Sequence, residues 1–509
     1  MQARQVLNFR WHVATNAGCS LLLYTDSMRP ALYTLALLLS CQSIAQASPD
    51  PFGTEKMLPL KPVLSLSKWP ALRLDGAVGD PCGTQSLDHP LDLPEVVNLT
   101  LCNNPQTREV WAISRAQAAQ VGVSKSGYLP GVSLNASANR IRTGSAPGVD
   151  QRNVGVTLSY LLYDFGSRSA NLENARQLLS AASATQDSTV QTVFLGSVQA
   201  FYQVQATLAA LVAALESERA AKESFAAAEA RYNAGSATPA DKLQAQTAYS
   251  QATLNRITAD GNLKNAQGTL ANMLGLDANR NVPLATANTT AIPKEFEGDI
   301  NALIEEARQR RPDLHAAAAQ VKAAQASADA ARAADRPTIS LTASADRNTL
   351  AGIDTHGSSV GINLNVPIFS GFAPTYRVRA AEAQTDARSA QLEQLRLRVA
   401  LDVWTAYQHL TTATQSLRTT ADLLNSAEQS ERVALGRYKA GVGSMLDVLN
   451  AQSALAGARQ QRIQSTFDWN ISRATLAQAM GSLDAGLLQT LSDSSNQQSG
   501  ENLQQKNQP

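Results

Sequence analysis

The sequence is poor in aromatic and charged residues, which make up 5% and 17% of its 509 positions. So few aromatic side chains are unusual for a protein built around one compact core. The many alanine, glutamine, serine, threonine and leucine residues are instead typical of long helices packed through small side chains. After position 50 no uninterrupted apolar run reaches 18 residues, so the sequence predicts no membrane-spanning helix. A location within a membrane would therefore require a closed β-barrel.

Catalytic motifs are also missing from the sequence. The five histidines form no HExxH motif, no Cys-x-x-Cys pair or phosphate-binding loop is present, and no serine sits in a nucleophile elbow. The formal net charge of +1 gives no indication of nucleic-acid binding. We therefore expect a protein that is not an enzyme, uses no cofactor or metal and binds no nucleic acid.

Residues 1–47 have the features of a secretion signal. Met28 and Arg29 give a short positive start, so that Met28 rather than Met1 is a candidate start of translation. An apolar run follows over 31–39, and Ala45-Gln46-Ala47 matches a small-x-small cleavage site. The alternative is a lipoprotein box ending at Cys41, whose thiol would be lipidated.

The chain carries four cysteines, and two of them lie beyond the signal. An even number of cysteines in an exported chain makes a disulfide between Cys82 and Cys102 plausible, and two free thiols are the alternative. Residues 48–91 form a proline-rich extension that we expect to be extended. The polar tail over 491–509 is too poor in apolar residues to fold, so we expect it to be disordered.

An internal repeat organises the rest of the chain. Matching residues recur at a constant offset of 206 after the first prolines, and such an offset over more than a hundred residues indicates duplication of one unit. Pro105 with Pro312 and Pro130 with Pro337 are offset by 207, and the later pairs, Val154 with Val360, Tyr232 with Tyr438, and Asp241 with Asp447, are offset by 206. The two units span 92–285 and 298–490, and each has the order helix, strand, strand, long helix, long helix.

Two segments in each unit alternate apolar and small polar residues with a period of two. In 132–139 and 154–162 the valines, leucines and alanines face one way, and 339–345 and 360–366 repeat the pattern. An apolar face opposite a small polar face is the pattern of a strand between lipid and a water-filled lumen. Four strands cannot close a barrel, and open edges cannot lie in lipid, so several chains must contribute to one barrel.

The helical segments are very long. From 168 to about 233 there is no proline, which at 1.5 Å per residue predicts a helix on the order of 100 Å. Apolar residues recur there in steps of four and three, and in the second unit every seven residues. They are Val190, Phe194, Ser197, Phe201, Val204, Leu208, Leu211 and Leu215, then Val403, Leu410, Leu417 and Leu424. This spacing predicts a coiled-coil seam.

Four features of this sequence together resemble the TolC-like outer-membrane factor family, over about 92–490. They are the R-Y-x-A-G turns at Arg231 and Arg437, the D-x-L-x-A-Q segments after them, the strand pairs and the Pro367–Gly371 segment. The resemblance implies a mainly α fold with a membrane β-barrel: a homotrimer with a 12-strand barrel, four strands per chain, on a coiled-coil tunnel. It also implies a location in the outer membrane, in contact with its lipid and extending into the periplasm. The implied partners are a periplasmic adaptor and an inner-membrane ABC transporter or RND pump.

The resemblance assigns roles to the turns and to the helix starts after them. The two tips that would contact the adaptor are Gly235, Ser236 and Ala237, and Gly441, Val442 and Gly443. Asp447 matches an acidic residue of a constriction ring, and Asn450 stands where the family has a second acid, so the ring should be weaker. Tyr438 and Asp241 match a pair that links neighbouring helix pairs.

A second family link uses an arginine where this chain has Gly443, so that link is absent. For Asp241 and Asp447 the alternative role is N-terminal capping of the helices that follow. Arg231 and Arg437 are interpreted as charges at helix C-termini rather than lumen contacts.

Three functions remain open from the sequence. The first is a duct for type I secretion of a protein such as an RTX toxin, supported by a resemblance of the Cys102-to-Pro130 region to secretion-type members of the family. The second is the same duct serving small-molecule or multidrug efflux with an RND or MFS pump. The third, from another class, is a periplasmic coiled-coil scaffold without a pore.

Overall fold

The structure is a computed structural model that describes residues 50–58, 89–142, 144–145, 147–285 and 299–483. Contacts divide the chain into Met1–Pro51, of which only the last two residues are described, and Phe52–Pro509. The predicted signal 1–47 with Cys41, most of the 48–91 extension with Cys82, and the tail 491–509 lie outside the described residues. Cys102 is disulfide-bonded, and its pairing with Cys82 stays a prediction.

Eight α-helices and four β-strands are described, after a short 3-10 turn at Thr54–Met57. The first unit contains α1 (Leu93–Asn103), α2 (Pro105–Ser126), β1 (Gly131–Ile141), β2 (Val149–Tyr163), α3 (Ser167–Asn233) and α4 (Pro239–Met273). The second contains α5 (Ile300–Arg310), α6 (Pro312–Ala333), β3 (Thr338–Leu350), β4 (Ile353–Asn365), α7 (Ala373–Lys439) and α8 (Met445–Ala479).

The two units repeat the same element lengths. Helices α3 and α7 both have 67 residues, and α4 and α8 both have 35. Their starts are 206 positions apart, at Ser167 and Ala373 for the long helices. The duplication predicted from the sequence is confirmed, and 67 helical residues correspond to about 100 Å.

Capping residues explain where several helices begin. Asn104 accepts a hydrogen bond from the backbone N–H of Gln106, and Pro105, which lacks an N–H of its own, occupies the first turn of α2. At the corresponding break in the second unit, Pro312 again starts the helix, but the Arg311 side chain bonds Asp313 and Asp402 instead of capping it. The same break in the helix is therefore built with different side chains.

The four strands form one antiparallel sheet in the order β1-β2-β3-β4. Cross-strand pairs such as Leu134 with Val156, Leu158 with Ala343 and Leu341 with Ile362 show that the apolar residues of all four strands share one face. The expected apolar and polar faces are thus confirmed. Within the described part of the chain, the outer edges of β1 and β4 have no partner strand.

The core lies around the middle of α3 and α7 and in the helices that pack there. Phe194 is fully buried in a cluster with α1, α4 and the end of α8, and Val399 and Val403 of α7 occupy the centre of a second cluster. The predicted seam of α3 is buried from Val190 to Val204, but Leu208 and Leu215 are exposed. Beyond Val204, therefore, this face of α3 is not covered within a single chain.

Helix α3 also contains an 18-residue window with a mean hydropathy of 1.4, long and apolar enough by composition to cross a membrane. No uninterrupted apolar run marks this window in the sequence, because single polar residues interrupt it. The helix packs against α2, α4, α6 and α8. We therefore interpret the window as coiled-coil surface, since a packed helical seam has the same composition.

The junction between strand and helix in the first unit is held by one ion pair. Arg168 and Asp164 lie 3.0 Å apart and both are mostly buried. The Arg168 guanidinium also donates to the backbone oxygens of Leu161 and Leu162, at 2.7 and 3.3 Å. Since those oxygens belong to the end of β2, the pair fixes the direction in which α3 leaves the sheet.

Candidate gate at the helical tips

The two helical hairpins, α3 with α4 and α7 with α8, end in turns of the same geometry. Gly235 and Gly441 have φ of 77° and 78°, a left-handed conformation that glycine adopts without a steric penalty. The residue after each glycine donates to a carbonyl five positions back, Ser236 to Arg231 at 2.9 Å and Val442 to Arg437 at 3.0 Å. These bonds satisfy the last carbonyls of α3 and α7.

The turns expose most of the residues predicted to contact an adaptor. Gly235, Ser236, Gly441 and Val442 are exposed, and Val442 keeps 68% of its surface. Ala237 and Gly443 are half-buried, and a Cβ on Gly443 would come within 3.0 Å of Arg437 Cβ. The larger side chain expected in the family at Gly443 would therefore crowd this turn.

Asp241 and Asp447 both close capping boxes. Asp447 accepts from the Ser444 N–H at 3.1 Å, and its own N–H donates to the Ser444 hydroxyl. Thr238 and Asp241 form the same arrangement at the start of α4. The alternative role weighed from the sequence, helix capping, is therefore present for both aspartates, and it leaves the exposed Asp447 carboxylate able to act in a lumen as well.

The hydrogen bonds from Ser444 to the Asp447 carboxylate, with a smaller contribution from the charge of Arg437, lower the pKa of Asp447 below its usual 3.8. Its charge is thus kept at every pH above that value. Asn450 lies three residues later on the same exposed face of α8 and carries no charge. A ring formed by copies of Asp447 would therefore have one carboxylate per chain.

Tyr438 lies inside the tip rather than at its surface. It is 7% exposed and packs with Ala228, Met445 and Val448. Among the described residues its hydroxyl has no hydrogen-bond partner, so the expected bond to Asp241 is not formed in this structure. A buried hydroxyl without a partner costs about 1–3 kcal/mol, so this site would gain from any rearrangement that supplies one.

Arg231 makes the contact that joins the two hairpins. Its guanidinium lies 4.2 Å from the centre of the Tyr438 ring and donates to the Tyr438 carbonyl oxygen at 3.0 Å. Arg231 lies in the last turn of α3, as expected of a helix C-terminal charge, and its guanidinium also lies against the end of α7. The repeated Arg-Tyr pair was the available signal, since a cation beside an aromatic ring in each of two neighbouring hairpins can pair across them.

Two further polar contacts join the hairpins above Arg231. Ser224 of α3 and Gln452 of α8 lie 3.0 Å apart, and Glu216 forms an ion pair with Arg459 at 2.9 Å. Glu216, Ser224 and Arg231 are spaced by eight and seven residues, which places them on one face of α3 every two turns. We call these three contacts the cross-hairpin contacts.

Comparison with known proteins identifies the fold. The family profile "Outer membrane efflux protein" matches residues 96–276 and 303–482. The chain is 34% identical over 402 residues to Protein CyaE of Bordetella pertussis, covering 77% of this chain and 84% of that protein. It is 24% identical to the outer membrane protein TolC of Escherichia coli, over 84% of this chain and 87% of TolC.

Among solved structures, the CmeC outer membrane channel of Campylobacter jejuni superposes with a TM-score of 0.70 at 19% identity, over 80% of this chain and 90% of that one. The sheet and the paired long helices are thus those of one chain of a TolC-like channel, in which a barrel stands on a helical tunnel. The chain belongs to the outer membrane efflux protein family and lies in the outer membrane, extending into the periplasm.

Proposed function

We propose that three copies of this chain form the outer-membrane exit duct of a type I secretion system for a protein cargo such as an RTX toxin. The observation that carries the proposal is the sheet: its four strands present an apolar face and, within the described residues, two edges without a partner strand, and it adjoins helices of 67 residues. One such sheet cannot be sealed in lipid, whereas three would supply twelve strands.

The helices fit the same assembly. Leu208 and Leu215 lie on one face of α3, and both are exposed in a single chain. A neighbouring copy would cover this face, because a helix packed on both sides is what a closed ring of coiled coils requires. At about 100 Å, α3 and α7 would carry the bore well away from the membrane.

Two observations support a protein cargo. The Cys102-to-Pro130 region resembles secretion-type members of the family. The 34% identity to CyaE also exceeds the 26% identity to the outer membrane efflux protein BepC of Brucella suis and the 29% identity to the solvent efflux pump protein SrpC of Pseudomonas putida. An inner-membrane ABC transporter would supply the energy, and a periplasmic adaptor would bind the two tip turns.

The tip is the proposed gate. In it, Asp447 of each copy would form a negative ring that favours cations, with Asn450 making the ring weaker than two acids would. The Arg231 contact with Tyr438 would hold the two hairpins together until the duct opens.

Small-molecule efflux with an RND or MFS pump is the second candidate. This candidate is favoured by the name of the family and by the names of BepC and SrpC, all of which describe efflux proteins. The same bore would serve either cargo, so the two candidates differ in partner and not in architecture.

Deletion of the gene, followed by parallel assays of secreted protein and of drug sensitivity, tests the cargo. We expect loss of a secreted protein with unchanged drug sensitivity, restored by the wild-type chain. Complementation with Val442→Asp at the exposed tip should fail, and Val123→Asp, similarly exposed but on α2, should succeed. Drug hypersensitivity with normal secretion would favour the efflux candidate, and absence of conductance in planar bilayers would contradict a pore altogether.

A further inference from the structure

The apolar face of the sheet ends abruptly toward the hairpin loops. On β2 this face runs from Leu162 to Val154, and the next two residues on it are Arg152 and Asp150. The eight residue steps from Val154 to Leu162 cover about 27 Å, or about 20 Å of height at the tilt usual in barrels. That height approaches the thickness of the hydrocarbon layer that such barrels cross, so the charged residues begin where lipid headgroups begin.

The neighbouring strands change character within two residues of Arg152 on the ladder, because Arg140 pairs with Asp150 and Arg347 pairs with Val154. The β-ladder also pairs Ala138 with Arg152, and Arg347 with His356. Because side chains two residues apart share a face, the three arginines lie on the same face as the apolar band. We call Arg140, Arg152 and Arg347 the arginine belt.

The opposite face has no such feature. Within the described residues of the four strands its polar residues are serine, threonine, asparagine and one glutamine, its one carboxylate is Asp346, and it has no arginine or lysine; its apolar side chains lie near the strand ends. Positive charge is therefore placed on the side that faces outward from the bore and is left out of the bore itself. Positive charge that served to contact cargo would instead lie on the face toward the bore.

The nearby carboxylates leave the arginines of the belt able to bind a further anion. Arg140 and Asp150 lie 3.7 Å apart and are both exposed, and Arg347 pairs with Asp354 while 61% of its side chain stays exposed. Exposed pairs of this kind contribute little, and a guanidinium has five N–H donors. Arg152 is exposed and has no ion-pair partner in the strands and loops that the structure describes.

The topology tells which leaflet the belt would meet. Helices adjoin the strand ends at Gly131, Tyr163, Thr338 and Asn365, and the hairpin loops lie at the opposite ends. Since the helices extend into the periplasm, the loops and the arginine belt lie at the outer leaflet.

We propose that the arginine belt binds the phosphate groups of anionic lipid headgroups in the outer leaflet. Guanidinium forks bind phosphate oxygens in a bidentate way, and an exposed cationic row directly above an apolar band matches the charge and level of a phosphate-bearing headgroup. Binding would fix the height of the barrel in the membrane. The inference rests on the proposed assembly into a membrane barrel.

The test uses the full-length trimer purified in detergent and mixed with equal amounts of phosphatidylglycerol and phosphatidylcholine. Native mass spectrometry counts the lipids retained by the wild type and by the triple variant Arg140→Gln, Arg152→Gln, Arg347→Gln. We expect the wild type to retain phosphatidylglycerol preferentially, with high salt weakening the preference, and the variant to lose it by roughly fivefold per arginine removed.

The matched control removes three arginines from the exposed helix surface, as Arg219→Gln, Arg396→Gln, Arg398→Gln, and should keep the preference. An unchanged preference in the belt variant, an equal loss in the control, or full displacement by excess inorganic phosphate would each overturn the proposal. If the triple variant does not assemble, Arg152→Gln alone answers the question, since that residue has no ion pair to lose among the residues that the structure describes. Conductance of the same samples separates failure of the belt from failure of the pore.

Discussion

Replacing Arg231 by alanine should loosen the contact between the two helical hairpins. The wild-type guanidinium lies on the Tyr438 ring at 4.2 Å and donates to the Tyr438 carbonyl at 3.0 Å. A cation–π contact contributes about 0.5–2 kcal/mol and a hydrogen bond from a charged donor about 1.5–3 kcal/mol. Because Arg231 is only half-buried, we take the low end of each range. The sum is about 2 kcal/mol per chain, or roughly a 30-fold change in a closed-to-open equilibrium.

The assay is single-channel recording of the purified trimer in planar bilayers. Arg231→Ala should raise the fraction of time spent in a high-conductance state, and Arg231→Lys should lie between, since lysine keeps the charge but not the planar contact with the ring. Arg219→Ala is the matched control, because Arg219 lies on the same helix, is 82% exposed and bonds Glu223 of its own helix.

A double-mutant cycle with Tyr438→Leu isolates the contact. If Arg231 acts through the Tyr438 ring, the two substitutions should be non-additive by about 1 kcal/mol. Conductance of Arg231→Ala equal to that of the control, or full additivity in the cycle, would refute the assignment of Arg231 as the contact that holds the tip closed.

Three further predictions concern the tip, a junction and the core. Asp447→Asn should reduce cation selectivity and block by divalent cations, and Asp241→Asn should do so less. Because hydrogen bonds from Ser444 lower the pKa of Asp447, the cation selectivity of the wild type should persist as the pH falls to about 4. It should disappear only at a pH below 3.8, the usual pKa of an aspartate. Arg168→Ala leaves the mostly buried Asp164 carboxylate without its cation, which should destabilise the folded chain by about 3 kcal/mol. On gels, the trimer of this variant should therefore dissociate at a lower temperature than the wild-type trimer. Phe194→Ala should destabilise the helical core by about 3–5 kcal/mol in calorimetry, with Phe194→Leu costing less.

The regular parts of the fold could be predicted from the sequence because each has a period. Alternation over 132–139 and 154–162 gave the strands, and the fixed offset gave the duplication. The strands were predicted too short: β2 begins at Val149, because Asp150 and Arg152 continue the ladder after the apolar pattern has stopped. A pattern in hydrophobicity cannot find strand residues that lie above the lipid.

The tip could be predicted only in part. A capping box spans four consecutive positions, so the capping roles of Asp241 and Asp447 could be predicted from the sequence. The contact of Arg231 with Tyr438 joins residues 207 positions apart, and its geometry depends on how two hairpins pack. The hydroxyl of Tyr438 was expected to bond Asp241, but in this structure that carboxylate is occupied by Thr238.

The duplication leads to a prediction about the trimer. In a ring of six hairpins, each α7–α8 hairpin has an α3–α4 hairpin of its own chain on one side and that of a neighbouring copy on the other. The first boundary is joined by Arg231 and Tyr438, while the repeated pair, Arg437 and Tyr232, is exposed in the single chain. If the ring is nearly sixfold at the tip, Arg437 of one copy should lie on Tyr232 of the next.

Cysteine substitution distinguishes the two boundaries. In a background without the native cysteines, Arg437→Cys with Tyr232→Cys should give covalently linked trimers on oxidation. Arg231→Cys with Tyr438→Cys should give a linkage within one chain, which runs as a monomer on denaturing gels. Linked trimers from the second pair would contradict the contact of Arg231 with Tyr438 within one chain. No linked trimers from the first pair would show that the tip departs from sixfold packing. In that case the contact of Arg231 with Tyr438 would hold the hairpins only within each copy, and a different contact would have to close the boundary between copies.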